Sequence, residues 1–210
     1  MSFYEDKIFP ILLDTLTIGL RQQRQEVLQT ASGRVLEIGI GTGANLPFYT
    51  EQASEIVGIE PSMALLNRAH ARVHQLSPSF RARVRLQQGF AERLDFPADT
   101  FDTAVACLVF CTIPEAEAAA REMYRVLKPG GKTVFFEHVR ATDATLIRWQ
   151  NRFNTLWKKF ACGCNLNRDT KALFAEVGFH YQELREYRHP AFKWLKLCAP
   201  VIQGVAVKER

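Results

Sequence analysis

The chain of 210 residues is long enough for one α/β domain with a substantial apolar core. Hydrophobic residues make up 47% of it and charged residues 23%, which is ordinary for a soluble globular protein. The net charge of +5 is spread along the sequence without a dense Lys/Arg run, so we expect no nucleic-acid partner.

Cysteine usage and the lack of long apolar runs set the expected compartment. The cysteines form neither an even disulfide framework nor a CxxC pair. The Cys162-Gly-Cys164 turn has no two further ligands near it in the sequence, so we predict no metal site. No apolar run reaches the roughly 18 residues that span a bilayer, and no signal peptide is visible. We therefore predict a cytoplasmic protein with reduced thiols and no transmembrane segment.

The N-terminal segment, residues 1–30, is predicted to be largely helical. Its apolar residues recur at helical spacing at Ile8, Ile11, Leu12, Leu16 and Leu20. Its aromatic residues, including Tyr4 and Phe9, precede the first strand, where such segments can fold over a bound ligand. Two interpretations stay open for this segment: a helix packed on the domain, and a lid over the ligand.

The strongest local pattern is the stretch Val35–Leu46, followed by the apolar run Ile56–Glu60. A β-branched run, a glycine loop, a helix and a second short strand ending in an acid predict the first βαβ unit of a nucleotide-binding sheet. Gly39 and Gly41 let the backbone turn sharply and approach a ligand closely. Glu60, at the carboxyl end of the second strand, is placed to accept hydrogen bonds from two ribose hydroxyls.

The acid Glu37 separates two kinds of nucleotide ligand. A dinucleotide would place its pyrophosphate against the loop, where the Glu37 carboxylate would repel it. S-Adenosylmethionine (SAM) has no phosphate, and its ammonium group suits a carboxylate. We therefore predict a SAM site. The structural alternative is a carboxylate that only caps a nearby turn, and the functional alternative is a dinucleotide oxidoreductase.

Beyond the second strand, the sequence predicts alternating helices and strands. Ser62 is predicted to cap a helix that begins at Pro61-Ser62, and Met63 is placed to lie on the adenine. The third strand, residues 84–87, runs into Gly89-Phe-Ala-Glu92, a loop expected at the adenine edge. The further predicted elements are strand 101–106, helix 115–127 with a stop at 128–131, strand 133–136, a helix capped by Asp143, helix 169–175, and strands 178–186 and 201–207. No composition break divides them, so we predict a single domain over residues 1–210.

Several blocks together resemble the class I SAM-dependent methyltransferases. They are Leu36–Gly43, Ile59–Ser62, Gly89–Glu92, Phe101–Val105 and Leu127–Gly131. The resemblance implies a doubly wound, Rossmann-like α/β fold, with helices on both faces of a seven-stranded sheet of order 3-2-1-4-5-7-6 whose last strand is antiparallel. The cofactor-binding residues predicted from the motifs and the resemblance are Glu37, Gly39, Gly41, Asn45, Leu46, Glu60, Pro61, Ser62, Met63, Gly89, Phe90, Ala91, Glu92, Cys107 and Leu108. Phe90 stands where many relatives have an acid, so backbone groups at Phe90 and Ala91, or Glu92, would have to contact the adenine.

The C-terminal third narrows the resemblance. Glu137–Val139, Trp149-Gln150 and Gly163–Thr170 are similar to the thiol S-methyltransferase subgroup, whose mammalian members sit on the endoplasmic reticulum and methylate small alkyl thiols. Those members carry an apolar N-terminal anchor that this sequence does not show. The resemblance implies a small apolar acceptor, a thiol, as the substrate. The alternatives are an O- or N-methyltransferase of a quinol, a lipid amine or another small metabolite, and a non-catalytic SAM-binding module.

A thiol acceptor predicts a dry aromatic pocket with few acid–base groups, because thiols, with a pKa of about 8.5, need a strong base less than alcohols do. The predicted pocket walls are Tyr4, Phe9, Phe110, Trp149 and Phe153. His138 is placed where a base assists deprotonation, and a histidine satisfied by local backbone is the alternative. Cys111 is predicted to line the pocket. We expect a monomer, and the aromatic and basic run 189–197, interpreted as a helix face, leaves peripheral membrane contact open.

Overall fold

The computed structural model of the protein describes residues 18–209, together with Tyr4, Ile8, Ile11 and Thr15. Most of the predicted N-terminal helix, and with it Phe9, lies outside the described residues. At the start of the continuous range, a 3₁₀ turn at Ile18–Leu20 leads into the first helix, α1, at Arg21–Leu28.

The described residues contain seven strands: β1 (Gly33–Ile38), β2 (Ala53–Glu60), β3 (Val84–Gln88), β4 (Phe101–Cys107), β5 (Leu127–His138), β6 (Phe179–Arg188) and β7 (Pro200–Lys208). They form one sheet with the order β3-β2-β1-β4-β5-β7-β6. Neighbouring strands are parallel except at β7, which runs antiparallel to both β5 and β6. The strand order implied by the resemblance is therefore confirmed.

The helices after α1 are α2 (Met63–His74), α3 (Pro78–Arg81), α4 (Ala116–Val126), α5 (Ala144–Phe160) and α6 (Thr170–Glu176). Two predicted N-caps are confirmed. The Ser62 side chain accepts a hydrogen bond from the Leu65 backbone N–H at 3.4 Å, and Asp143 accepts one from Leu146 at 2.8 Å. Of the helices in the described part, none combines the length and apolar character needed to cross a membrane.

One predicted boundary is wrong at strand β5. The predicted helix stop at residues 128–131 lies inside that strand rather than before it. Leu127 pairs with Phe101 and Lys132 with Thr103, so the residues between them form a bulge in the parallel ladder. The bulge accommodates the proline and glycines of residues 128–131 without interrupting the strand. These residues therefore resemble a turn in the sequence although no turn separates the helix from the strand there.

The run 189–197 is also not a helix face. Only a 3₁₀ turn at Pro190–Phe192 forms there, followed by a further tight turn in which the Leu195 N–H donates to the Phe192 carbonyl at 2.8 Å. The Trp194 side chain in this segment is 86% exposed. The surface is therefore a short series of turns that carries one exposed tryptophan.

The central strands bury both of their faces, as expected for parallel strands covered by helices on each side. Along β4, Ala104 and Ala106 belong to the apolar cluster that includes α4 and α6. Val105, between them, belongs to the cluster that includes α1 and α2. Successive side chains of a strand point to opposite faces, so this alternation places helices on both faces of the sheet, as predicted.

The carboxyl ends of the parallel strands β1, β2, β4 and β5 meet at one edge of the sheet. Open α/β sheets bind their ligands at this edge. We name two parts of it. The cofactor edge comprises residues 37–49, 60–63 and 88–92, which follow β1, β2 and β3. The acceptor edge comprises residues 107–114, 137–141 and 163–168, which follow β4, β5 and α5.

Candidate active site

The glycine loop of the cofactor edge leaves open space for a ligand. Gly39 and Gly41 have φ angles of 64° and 57°, in the left-handed region that favours glycine. A Cβ added to Gly39 would collide with the Val109 side chain. A Cβ added to Gly41 would come no closer than 3.9 Å to any described atom outside its neighbours, namely the Gly39 carbonyl oxygen. The loop is therefore packed on one side and open on the other.

Glu60 ties the glycine loop to the start of helix α2. Its side chain is 6% exposed and accepts hydrogen bonds from the Gly41 N–H at 3.1 Å and the Ser62 N–H at 3.0 Å. Burial raises the pKa of this carboxyl, and the two backbone hydrogen bonds partly offset the rise. Each carboxylate oxygen retains further acceptor capacity, which suits vicinal hydroxyl groups.

Glu37 is buried within a small polar cluster. Its side chain is 1% exposed and accepts hydrogen bonds from the Asn45 amide and the Tyr49 hydroxyl, both at 2.7 Å. Burial raises the pKa of Glu37 to about 7, although these two hydrogen bonds favour the charged form. The Asn45 side-chain oxygen is buried and has no hydrogen-bond partner among the described residues. A carboxylate and an unpaired amide oxygen side by side form an acceptor site for a cationic, hydrogen-bond-donating group.

Two large apolar side chains stand exposed where the adenine ring is predicted. Met63 is 43% exposed at the start of α2, and Phe90 is 59% exposed in the loop after β3. The Gln88 amide donates to the Pro61 carbonyl at 3.0 Å, which holds the two loops side by side. Ala91 is buried and Glu92 is partly buried in the same loop. The predicted adenine-binding residues therefore lie together, and their contact with adenine stays a prediction.

A buried acid organises the loop at the start of the acceptor edge. Glu137, fully buried near the end of β5, accepts hydrogen bonds from the Val109 and Phe110 N–H groups at 2.8 and 3.2 Å. Burial raises the pKa of this carboxyl to about 8. Leu108 adopts a φ of 56°, which is unusual for a residue with a Cβ, and Cys107 beside it is partly buried. The loop is thus held in a fixed, strained conformation.

Three reactive side chains meet at the centre of the acceptor edge. His138 Nε2 lies 2.9 Å from Cys164 Sγ. The sulfur of Cys111 joins them, and the three atoms all lie within 4.8 Å of one another. A hydrogen bond with the Cys164 thiol and the charge of His138 lower the pKa of the Cys111 thiol, while the same pairing and burial raise the pKa of Cys164.

The structure separates the predicted aromatic pocket walls. Phe110 packs in the core instead of lining an open pocket, because its ring is fully buried against Phe174 at a centroid distance of 4.9 Å. Trp149 and Phe153 stack at 5.6 Å on an exposed face of α5. The Tyr4 hydroxyl donates to the Phe160 carbonyl at 2.8 Å, at the end of the same helix. Three of the five predicted walls are therefore associated with α5.

The comparisons with known proteins decide the family. Residues 36–135 match the family model described as a methyltransferase domain. The chain is 32% identical to the thiol S-methyltransferase TMT1B of Rattus norvegicus, over 95% of the chain and 86% of that protein. The chain belongs to the class I SAM-dependent methyltransferases. It is also 35% identical to the phosphatidylethanolamine N-methyltransferase of Cereibacter sphaeroides, over 62% of the chain and 66% of that protein.

The fold agrees with a solved structure. The crystal structure of the YcgJ protein of Bacillus subtilis has a TM-score of 0.71, with 19% sequence identity, and covers 91% of this chain and 98% of that chain. At that identity the similarity concerns the fold alone. Together with the family and the observed strand order, this similarity confirms the Rossmann-like methyltransferase fold.

The cofactor edge of this methyltransferase fits SAM. Glu60 would hold the ribose hydroxyls, and Glu37 with the unpaired Asn45 oxygen would hold the ammonium group. The open side of Gly41 leaves room for the ligand backbone, and Met63 and Phe90 offer apolar surface for the adenine. The choice of SAM over a dinucleotide is therefore confirmed by the family and supported by these residues.

Three site residues were absent from the sequence-based prediction. Tyr49 completes the Glu37 cluster, Glu137 fixes the loop after β4, and Cys164 joins Cys111 and His138. Glu137 carried a readable signal, since it is an acid at the end of an apolar strand. Tyr49 and Cys164 carried none, because each meets its partners through the tertiary fold rather than through a short motif.

Proposed function

We propose that this methyltransferase transfers the methyl group of SAM to a small apolar thiol. The observation that carries the proposal is the alignment with the rat thiol S-methyltransferase, which covers 95% of the chain at 32% identity. An alignment of that extent includes most of the acceptor edge and helix α5. The alignment with the lipid-amine enzyme reaches only 62% of the chain.

The chemistry of the acceptor edge supports a sulfur nucleophile. When bound, SAM supplies a methyl group attached to a sulfonium. As the acceptor sulfur bonds to the methyl carbon, the methyl–sulfonium bond breaks, and its electron pair stays with the departing S-adenosylhomocysteine. The acceptor must reach this carbon in line and away from water. The edge is lined by buried groups, among them Cys111 and His138, so a thiol enters a poorly hydrated site.

Proton removal is the remaining requirement. A thiol has an ordinary pKa of about 8.5 and is partly ionised near neutral pH, so one weakly basic neighbour suffices. His138 is the group that we propose for this role, and its Nδ1 atom has no hydrogen-bond partner among the described residues. Leu108 and Cys107 would separate this acceptor region from the cofactor edge.

The test is an acceptor panel with SAM. It contains a small alkyl thiol, the alcohol and the amine of the same carbon skeleton, a phenol, and phosphatidylethanolamine vesicles. We expect a methyl thioether and S-adenosylhomocysteine from the thiol alone, with a rate that rises from pH 7 to 9 with the thiolate fraction around the ordinary pKa of about 8.5. Preferential methylation of another acceptor would overturn the thiol assignment while leaving the methyltransferase activity intact.

Methylation of a lipid amine is the second candidate. The 35% identity to the Cereibacter enzyme favours it, as does a groove on α5 in which Arg148 and Arg152 accompany Trp149 and Phe153. Cationic and aromatic side chains together suit an anionic lipid surface. Methylated phosphatidylethanolamine in the panel would support this candidate, and its absence alongside thioether formation would reject it.

We further propose that the chain acts as a monomeric cytoplasmic unit and that residues 1–30 close over the acceptor. The contact that supports a lid is the hydrogen bond from the Tyr4 hydroxyl to the Phe160 carbonyl, which links the start of the chain to the end of α5. Light scattering of the purified protein tests the monomer, and a dimer at micromolar concentration would reject it.

A further inference from the structure

Two cysteines and a histidine from three separate segments form a cluster of soft metal ligands. Cys111 comes from the loop after β4, His138 from the end of β5, and Cys164 from the turn after α5. Their ligand atoms lie within 4.8 Å of one another. Cys111 and His138 are buried, and Cys164 is largely covered by its neighbours. Sulfur and imidazole nitrogen are the ligands that Zn²⁺ prefers in proteins, whereas Mg²⁺ and Ca²⁺ prefer oxygen.

Backbone contacts hold the sulfur-bearing segments together independently of the cysteine side chains. The Asn165 backbone N–H and side-chain amide both donate to the Cys111 carbonyl, at 2.7 and 3.0 Å. The Leu166 N–H donates to the Asn154 side chain of α5 at 2.7 Å, which anchors the same turn to the helix. Gly163 adopts a φ of 94°, which allows the sharp turn before Cys164. The ligand set is therefore preorganised by its scaffold.

The size and charge of the cluster suit a zinc ion. Zn–S bonds of about 2.3 Å in a tetrahedron place two sulfur atoms about 3.8 Å apart. The observed spacing, at most 4.8 Å, lies within about an ångström of that value. Two thiolates neutralise one Zn²⁺, so a zinc ion with Cys111, Cys164 and a neutral His138 carries no net charge in a buried place. Three protein ligands leave the fourth tetrahedral position open.

Unpaired polar atoms nearby indicate that this edge receives a polar group. Glu137 Oε2 and His138 Nδ1 are both buried and have no hydrogen-bond partner among the described residues. Buried polar atoms without partners are rare in native structures and indicate an unfilled role. They lie on consecutive residues at the end of β5, and His138 is itself a member of the cysteine–histidine cluster.

We propose that Cys111, His138 and Cys164 bind a zinc ion whose fourth position takes the sulfur of the acceptor thiol. The second half of this proposal rests on the proposed function. A thiol bound to zinc loses its proton to solvent, and its sulfur then forms a bond to the SAM methyl carbon. The methyl–sulfonium bond breaks, and its electron pair stays on the sulfur of S-adenosylhomocysteine. The neutral thioether product then leaves the metal. In this arrangement His138 acts as a zinc ligand, and the zinc ion takes over the deprotonation of the thiol that is otherwise assigned to the imidazole.

Zinc binding is tested on the full chain, kept reduced with a phosphine so that Cys111 and Cys164 cannot form a disulfide. Equilibrium dialysis against buffered free Zn²⁺ is compared for wild type, Cys111→Ser, Cys164→Ser and the matched control Cys162→Ser. We expect one zinc per chain in wild type and in the control. Each ligand variant should bind zinc more weakly by at least the ~10–100-fold that loss of an outer-shell partner costs. Circular dichroism confirms that every variant is folded.

The fourth position is tested by cobalt substitution. Co²⁺ bound to the cluster should give a thiolate-to-cobalt charge-transfer band, and a small alkyl thiol should strengthen this band while the alcohol of the same skeleton should not. Folded wild type that binds no zinc, or Cys164→Ser that binds zinc as tightly as wild type, would overturn the site. A cobalt spectrum that the thiol leaves unchanged would overturn the open fourth position.

Two results distinguish a wrong zinc role from a wrong thiol substrate. Full thioether formation by protein stripped of metal would overturn the metal role and leave the thiol assignment standing. Zinc binding and a thiol-sensitive cobalt spectrum, without methyl transfer to any thiol, would support the metal site and reject the proposed function.

Discussion

The cofactor edge and the acceptor edge lie side by side on one sheet but are built by different means. The cofactor edge relies on one βαβ unit, in which Glu37 directly precedes the glycine loop and Glu60 ends the following strand. The acceptor edge joins Cys111, His138 and Cys164 from three distant segments. Its carboxylate, Glu137, holds the loop after β4. We propose that the carboxylates of the cofactor edge, Glu37 and Glu60, bind SAM in addition to the hydrogen bonds that they accept within the protein.

This difference separates the residues that we propose for cofactor binding from the residues that we propose for acceptor choice. The cofactor edge presents oxygen acceptors to a cationic ligand with hydroxyl groups. The acceptor edge presents sulfur and imidazole in a buried setting. We therefore expect substitutions at one edge to leave the function of the other edge largely intact.

The largest effect is expected at Gly39. Gly39→Ala introduces a Cβ that collides with Val109, at a φ of 64°. We expect a loss of about 3 kcal/mol in unfolding free energy and no measurable SAM binding. Gly41→Ala, with a similar φ of 57° but open space at its Cβ, should lose only about 1 kcal/mol. Urea unfolding of the pair measures the difference, and equal stability of the two variants would contradict the packing.

Glu60→Ala should weaken SAM binding by at least ~100-fold, because it removes two charge-assisted hydrogen bonds to the ribose, each worth ~1.5–3 kcal/mol. It also releases the N–H groups of Gly41 and Ser62. Glu55→Ala is the matched control, since Glu55 pairs only with the surface residues Arg34 and Arg85 among the described contacts. Calorimetric titration with SAM should show a change of less than threefold for the control. Similar losses in both variants would refute the ribose role.

Gln150→Ala should lower the unfolding free energy by about 2 kcal/mol, because it leaves buried backbone groups without partners. The fully buried Gln150 side chain accepts from the Ala141 N–H at 2.9 Å and donates to the Val139 and Leu197 carbonyls at 3.1 and 3.0 Å. The exposed Gln87→Ala control should change stability by less than about 0.5 kcal/mol. SAM affinity should stay within threefold of wild type, and a larger loss would show that α5 supports the cofactor edge.

The pH dependence of SAM binding tests Glu37. Burial raises its pKa to about 7, so the side chain is protonated at lower pH and cannot pair with the ammonium group. We expect SAM affinity to rise at least tenfold from pH 5.5 to 7.5, below the range near ~8 in which an α-amino group itself deprotonates. Glu37→Gln should abolish the rise. A wild-type affinity that is independent of pH would contradict the pairing.

The same raised pKa predicts how unliganded stability depends on pH. A folded-state pKa of about 7, above the ordinary value of 4.5, means that folding favours the protonated acid. Its stabilising contribution is complete below the unfolded pKa and is lost as the pH rises through about 7. Glu37→Gln should lose less stability than wild type between pH 5 and 8 in thermal unfolding.

The smallest effect is expected at Tyr4. Tyr4→Phe removes the exposed hydrogen bond to the Phe160 carbonyl, an interaction worth about 0.5–1.5 kcal/mol. We expect the KM for the acceptor to rise about threefold, with SAM affinity unchanged, if the segment closes over the acceptor edge. Steady-state kinetics with each substrate varied in turn separate these parameters. An unchanged KM would reject the lid.

The grouping of the predicted cofactor residues at one edge of the sheet could be predicted because its signals are local. Glu37 lies near the end of β1, directly before the glycine loop, and Glu60 ends the next strand, so spacing alone places them together. The acceptor edge was predicted only in part. His138 and Cys111 follow strands whose ends meet, which parallel pairing makes predictable. Cys164 follows a long helix, whose direction across the edge depends on packing that no sequence spacing encodes.

Burial was likewise hard to predict at single aromatic residues. Phe110 lies in a loop expected to line a pocket, yet its ring turns into the core because Glu137 fixes the loop backbone and Phe174 receives the ring. Trp149 and Phe153, which lie at helical spacing, were predicted as pocket walls, and the structure leaves both on an exposed face of α5. Helical spacing identifies a common face without saying what covers it.

The most direct test measures SAM binding and thioether formation on the same samples of wild type, Cys164→Ser and Cys162→Ser. We predict that Cys164→Ser binds SAM within threefold of wild type but forms the thioether at least tenfold more slowly, while Cys162→Ser matches wild type in both. Two results would contradict the independence of the cofactor and acceptor edges. One is thioether formation by Cys164→Ser at the wild-type rate, and the other is a loss of SAM binding as large as the loss of turnover.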